Sequence, residues 1–252
     1  MRVHIDNPLI IFVFALIAQS LAVYLGDLLR KRTLKLRTDE RHDFDTVRTT
    51  TMTLLALIIG FTFSMAVIRY DQRKTLEEGE ANAIGTEYLR ADFLPNDIGT
   101  QAKELLKKYL DLRVAFYEDD NGDKLDQDTA TLQTKLWKVV ASAAAKDPSP
   151  ILALAASGMN DVINSQGYTQ AAWRNRIPIG AWMMMGLMAI FCNFLVGYGE
   201  RRKGGWIVFI LPLVVSTSFF LIADLDSPRG GAIRVHPVNL LAAAQSMRTP
   251  AP

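Results

Sequence analysis

Cysteine is almost missing from this 252-residue chain: Cys192 stands alone, which excludes an intrachain disulfide and a cysteine-rich metal site. Inside an apolar run, it reads as a small packed hydrophobe. Histidine is scarce too, and His4, His42 and His236 lie in three separate polar segments, none beside a second ligand at metal spacing. Neither sign of charge is in excess: 28 basic against 26 acidic residues give a net +2, too little for a nucleic-acid footprint. A glycine-rich phosphate loop, a nucleophile elbow and a paired-carboxylate site are all lacking; Ser64, in GFTFSM, is without the following glycine that an elbow needs. No catalytic constellation remains, so the reading is of a protein that is not an enzyme, with no cofactor and no metal. The acidic segment EDDNGDKLDQD, Glu118 to Asp128, fails as a calcium loop at both ends and reads as a solvated turn.

Charge is also missing from four long runs: Asn7 to Gly26, Thr49 to Ile68, Ile177 to Gly199 and Gly204 to Ala223. At ~1.5 Å per residue, 20 helical residues span about 30 Å, the thickness of a bilayer's hydrocarbon core. The first run is longer than a signal-peptide core, and its basic cluster follows rather than precedes it, so it reads as a retained span. Between spans two and three lies a long polar stretch with helical periodicity and no strand-like alternation. Its expected helices are a continuation of span two through Tyr70 to Phe93, then Asp97 to Glu118 with Asp97 as N-cap, Asp126 to Lys146, and Pro150 to Ser165. Their apolar stripes are Leu105, Leu106, Tyr109, Leu112 and Phe116; Leu132, Leu136, Val139 and Val140; and Ile151, Leu154, Met159 and Ile163. The fold class expected is an all-α membrane protein with four transmembrane helices in two antiparallel pairs and a central polar helical domain. Its parts are an N-terminal pair over 1–68 with a basic loop at 27–48, a polar domain over 69–176, a C-terminal pair over 177–223, and a tail over 224–252 carrying DLDSPRGG.

The two short loops are basic. Seven basic residues face five acidic ones in 27–48, and Arg201, Arg202 and Lys203 lie between spans three and four, whereas Tyr70 to Arg176 is net −4. By the positive-inside rule the short loops are cytoplasmic and the central domain faces outward.

The spans hold no Asp, Glu, Lys, Arg or His, which argues against a pump or proton-coupled carrier. On span two, Thr53, Gly60, Ser64 and Asp71 follow one another at seven, four and seven residues and share a helical face, with Ile59, Phe63 and Val67 beside it. One reading is a pore wall with Phe63 at a constriction that gates by dewetting; the other, favoured by spacing alone, is a surface of small residues where helices pack closely. On span four, Pro212 frees the carbonyl of Val208, and Ser216, Thr217 and Ser218 stand where hydroxyls re-satisfy such groups. After it, Asp224 and Asp226 with Arg229, Gly230, Gly231 and Arg234 describe a sharp turn with charges. These residues either bind ions at a vestibule, together with Glu77 and Glu80, or pair internally.

The strings GFTFSMAVIRYD (Gly60 to Asp71), EANAIGTEYLRADFLP (Glu80 to Pro95), KKYLDLR (Lys107 to Arg113), NRIP (Asn175 to Pro178) and DLDSPRGGAIRV (Asp224 to Val235) together resemble the bacterial bestrophin-like domain family. The resemblance implies a four-span, helical, ring-forming ion channel with span two lining the pore. It implies a cytoplasmic helical domain, where the loop charges imply an outward one. The expected function is a passive ion channel or pore formed by a homo-oligomer in a bacterial cytoplasmic (inner) membrane. Its partners would be the lipid bilayer, further copies of itself and an inorganic ion, with no nucleic acid. The alternative is a non-conducting membrane-anchored interaction or sensory module.

Overall fold

A computed structural model describes residues 7–32, 38–118, 122–146, 149–199 and 206–249. Eight α-helices run through them: α1 (Pro8–Arg32), α2 (Thr38–Arg90), α3 (Asn96–Glu118), α4 (Gly122–Lys146), α5 (Pro150–Arg174), α6 (Ile179–Gly199), α7 (Ile210–Asp226) and α8 (Val238–Arg248). No strand occurs among the described residues. Among the described residues four helical stretches are long and apolar enough to cross a membrane, each covering most of one charge-free run. The chain is an all-α membrane protein.

It divides into two compact units, one of residues 1–70 and 176–234, the other of residues 71–175 and 235–252. In the first, α1 packs against α6 and α7, and α2 adds Leu55 and Ala66 to a core that includes Met185, Ala189, Cys192, Val215, Phe219 and Ile222. The closest approach of α1 to α6 is made by glycines. A Cβ on Gly197 would overlap the Val23 carbonyl, and one on Gly26 would overlap that of Phe194. Helices α1, α6 and α7 share a buried polar clamp, in which Gln19 Nε2 donates to Ser216 Oγ (3.2 Å) and Asn193 Nδ2 donates to Gln19 Oε1 (3.0 Å). Large aliphatic and aromatic side chains, among them Phe14, Ile17, Leu187 and Val214, are exposed on the outside of this unit, as suits a helix bundle in lipid.

In the second unit the remainder of α2 joins α3, α4, α5 and α8 around Ile84, Leu106, Tyr109, Leu136, Met159 and Leu240. The expected stripes of α3 and α4 lie on their inner sides, with Leu106, Tyr109, Phe116, Leu136 and Val140 buried.

Several local expectations are corrected. The segment read as a basic loop, 27–48, is mostly helix, since α1 extends to Arg32 and α2 begins at Thr38; residues 33–37 lie outside the described residues, as do Arg201, Arg202 and Lys203. Asp97 is not a cap: α3 starts at Asn96, which leaves Asp97 in the first turn, where a carboxylate still favours the helix dipole. Helix α5 runs on to Arg174, and its buried side is Leu152, Ala155, Met159 and Val162, whereas Ile151 and Leu154 are exposed. The segment PILALAASGM is apolar on every side, so periodicity does not choose a face. Ser149 caps this helix by accepting from the Leu152 N–H. Pro212 falls in the first turn of α7, where its missing N–H costs nothing, and Thr217 and Ser218 donate to the carbonyls of Leu213 and Val214 rather than Val208. Helix α8, inside the stretch read only as a tail, buries Leu240, Ala244 and Met247 at helical spacing.

Candidate functional site

Within the membrane unit, α2 has two unlike faces. Thr51, Leu55, Thr62 and Ala66, at helical spacing, are buried. Thr53, Gly60 and Ser64, on the opposite side, are exposed. Phe63 stands at the edge of this open side at 37% exposure, with Leu57 between the polar positions at 51%. A Cβ on Gly60 would meet nothing within 4 Å. The sequence left two readings of this surface, and the chain's own helices do not use it for close packing; Gly26 and Gly197 serve that purpose. The Thr53 hydroxyl donates to the Thr49 carbonyl (3.0 Å), which keeps its donor satisfied while its oxygen faces outward.

The six charged candidates are placed differently. Asp224 is buried and closes the turn after α7: Ala232 N–H donates to its Oδ1 (2.7 Å) and Ile233 N–H to its Oδ2 (2.9 Å). Gly231 is required there, because a Cβ would stand 2.5 Å from Asp224 Oδ1. Asp226, also buried, accepts from the Ile177 N–H at 3.0 Å. Arg234 is exposed and its Nε donates to the Gly231 carbonyl (2.7 Å), while Arg229 is half-buried. The turn thus holds itself with carboxylate-to-backbone bonds, the arrangement that satisfies orphan N–H groups after a helix ends.

In the polar unit Glu77 is buried against the start of α8. Its Oε1 accepts from the N–H groups of Asn239 and Leu240 (2.9 Å each) and its Oε2 from Asn239 Nδ2 (2.6 Å). This satisfies two of the donors that the first turn of a helix leaves open. Glu80 is fully buried with Arg113, which donates to it through both Nε and Nη2, and Thr169 Oγ1 donates to Glu80 Oε2 at 3.0 Å. The Arg113 guanidinium also lies 4.4 Å from the Phe116 ring centroid. Burial, then the Glu80 charge, pushes the Tyr109 and Tyr117 phenols well above their ordinary range, so both are neutral hydroxyls. Arg73, buried as well, donates to the carbonyls of Ala172 and Asn175 (3.4 Å each) at the end of α5, where a cation complements the helix dipole.

The four carboxylates expected at a vestibule are therefore buried and engaged inside a single chain. The sequence reading missed Arg113, Thr169 and Gln19, whose partners lie 33 to 197 positions away. For Arg113 one signal existed: it follows Tyr109 by four residues, on the buried stripe of α3. Among the described residues no group of three or more His, Cys, Asp or Glu is arranged to hold a metal ion.

A helical membrane bundle with a polar helical unit, and a small, hydroxyl-bearing face left open on one spanning helix, defines an integral all-α membrane protein. The sequence pattern of the Bestrophin-like domain matches residues 13–240, and the chain belongs to that family. Among solved structures it is similar to a variant of a bacterial bestrophin homologue from Klebsiella pneumoniae, with a TM-score of 0.67 and 13% identity over 94% of this chain and 93% of that one. A second structure of the Klebsiella pneumoniae homologue gives 0.66 and 12% over 95% of each. At such identity the likeness speaks for the fold. No curated protein matches the sequence.

Proposed function

We propose that the chain assembles as a homo-oligomeric, passive ion channel or pore in a bacterial cytoplasmic membrane. Thr53, Gly60 and Ser64 of α2 line the path and Phe63 narrows it. The observation that carries this reading is the open face of α2: Thr53, Gly60 and Ser64 are exposed together on one side of the helix, opposite its buried side. Polar and small groups at such a surface are best served by water or by another helix. Membership of the Bestrophin-like family supports the same reading. Glu77, Glu80, Asp224 and Asp226 have no part in it, since they are spent on internal hydrogen bonds. The basic short loops favour placing them in the cytoplasm and the polar unit outside.

Purified protein in planar bilayers is expected to conduct, and Phe63→Ala to raise the open probability by removing an apolar constriction. A well-folded oligomer that stays silent would overturn the proposal. The internal engagement of the four carboxylates favours the alternative, a non-conducting membrane-anchored interaction or sensory module. That alternative expects copurifying partners and full tolerance of polar substitutions on α2.

A further inference from the structure

The polar part of α2 carries four buried ionisable side chains: Arg73, Glu77, Glu80 and Glu87. Three are engaged as described. Glu87 is as buried as the others, at 1% exposure, yet neither of its carboxylate oxygens has a hydrogen-bond partner. Its carboxyl group occupies a slot made by a missing side chain. A Cβ on Gly158 of α5 would collide with Glu87 Oε2 and would come within 2.5 Å of Arg90 Nη1. The charged groups around it are few. Arg90, on its own helix, is half-buried and favours ionisation; Asp161, three residues beyond Gly158 on α5, is exposed and opposes it. Asp92, in the turn that follows, is engaged with Lys103 of α3 at 2.5 Å. An ionised carboxylate without donors is costly in such a place, whereas a neutral acid is tolerated far better.

We propose that Glu87 is a protonation switch: as a neutral acid it lets α5 seat on α2 through Gly158, and on losing its proton it demands solvation and loosens that contact. Burial is the dominant cause that pushes the Glu87 carboxyl up to about 8, with Asp161 adding to it and Arg90 resisting. The sign follows from linkage. Exposed, the group ionises at its ordinary value near 4.5; seated, it holds its proton to about 8. The contact is therefore fully supported at acidic pH, weakens through that interval and levels off above it. This inference does not depend on whether the chain conducts.

Hydrogen exchange on the detergent-solubilised full chain reads the switch directly. After correction for intrinsic rates, opening of the α5 amides around Gly158 is expected to rise about tenfold per pH unit between about pH 5 and pH 8 and then to plateau. In Glu87→Gln, which keeps shape and removes the charge, the slope disappears. Infrared spectra give a second readout: a protonated-carboxyl band present at about pH 6 and lost at about pH 9.5 in the parent chain. In Gly158→Ala, which fills the slot, that loss shifts toward the ordinary carboxylate range. An unchanged exchange slope in Glu87→Gln, or a parent chain with no such band, would overturn the proposal.

Discussion

Buried charge in the polar unit is handled residue by residue, each group by a different device. Glu80 and Arg113 neutralise one another, Glu77 caps a helix, Arg73 takes the carbonyls at a helix end, and Glu87 lies against Gly158 with no hydrogen-bond partner. A buried pair is worth little against an apolar pair of the same shape, but breaking it is expensive. Arg113→Ala should therefore cost about 3–5 kcal/mol by leaving Glu80 unpaired. The double change Arg113→Met with Glu80→Leu should recover most of that loss, and chemical unfolding in detergent would show it. Additive losses in the double variant would mean that the two residues act separately. These roles were only half legible in sequence. Glu77, Glu80, Asp224 and Asp226 stood out as acids in segments of distinctive pattern, but their partners are backbone N–H groups and a distant arginine, which local spacing does not reveal.

Helices were far more legible than their faces. Charge-free runs of bilayer length gave the four spans, and strong periodicity gave the inner sides of α3 and α4, because the stripe of a half-solvated helix is written in its polar residues. Helix α5 hid its inner face because apolar and small residues surround it, and α8 was overlooked in a short segment whose N-terminus is held by Glu77 of α2. Glycine separates structure from function on this scale. Gly197 meets the Val23 backbone, which has no room to yield, so Gly197→Ala should destabilise the membrane unit by about 1–3 kcal/mol. Gly60 faces open space, so Gly60→Ala should leave the thermal midpoint of the isolated protomer unchanged or raise it slightly. Loss of stability in Gly60→Ala at the protomer level would show that this face is packed within the chain.

For the molecule as a whole, the two units reflect the composition read at the outset: a lipid-solvated bundle and a polar helical unit with its own core. Family membership and fold make the chain a Bestrophin-like, all-α membrane protein. The lone Cys192 is buried, so replacing it with serine gives a background in which any new thiol is the only one. On that background a cysteine at exposed Tyr168 should react with an impermeant reagent added to intact cells, as the basic short loops predict. Labelling only after lysis would place the polar unit in the cytoplasm. Conduction along α2 is tested most directly on the same background, by recording current while a water-soluble thiol reagent is added to Thr53→Cys, Ser64→Cys and, as the buried comparison, Leu55→Cys. The open-face positions should react and lose current while Leu55→Cys stays unaffected; unreactive cysteines at 53 and 64 in a conducting oligomer would contradict a path lined by this helix.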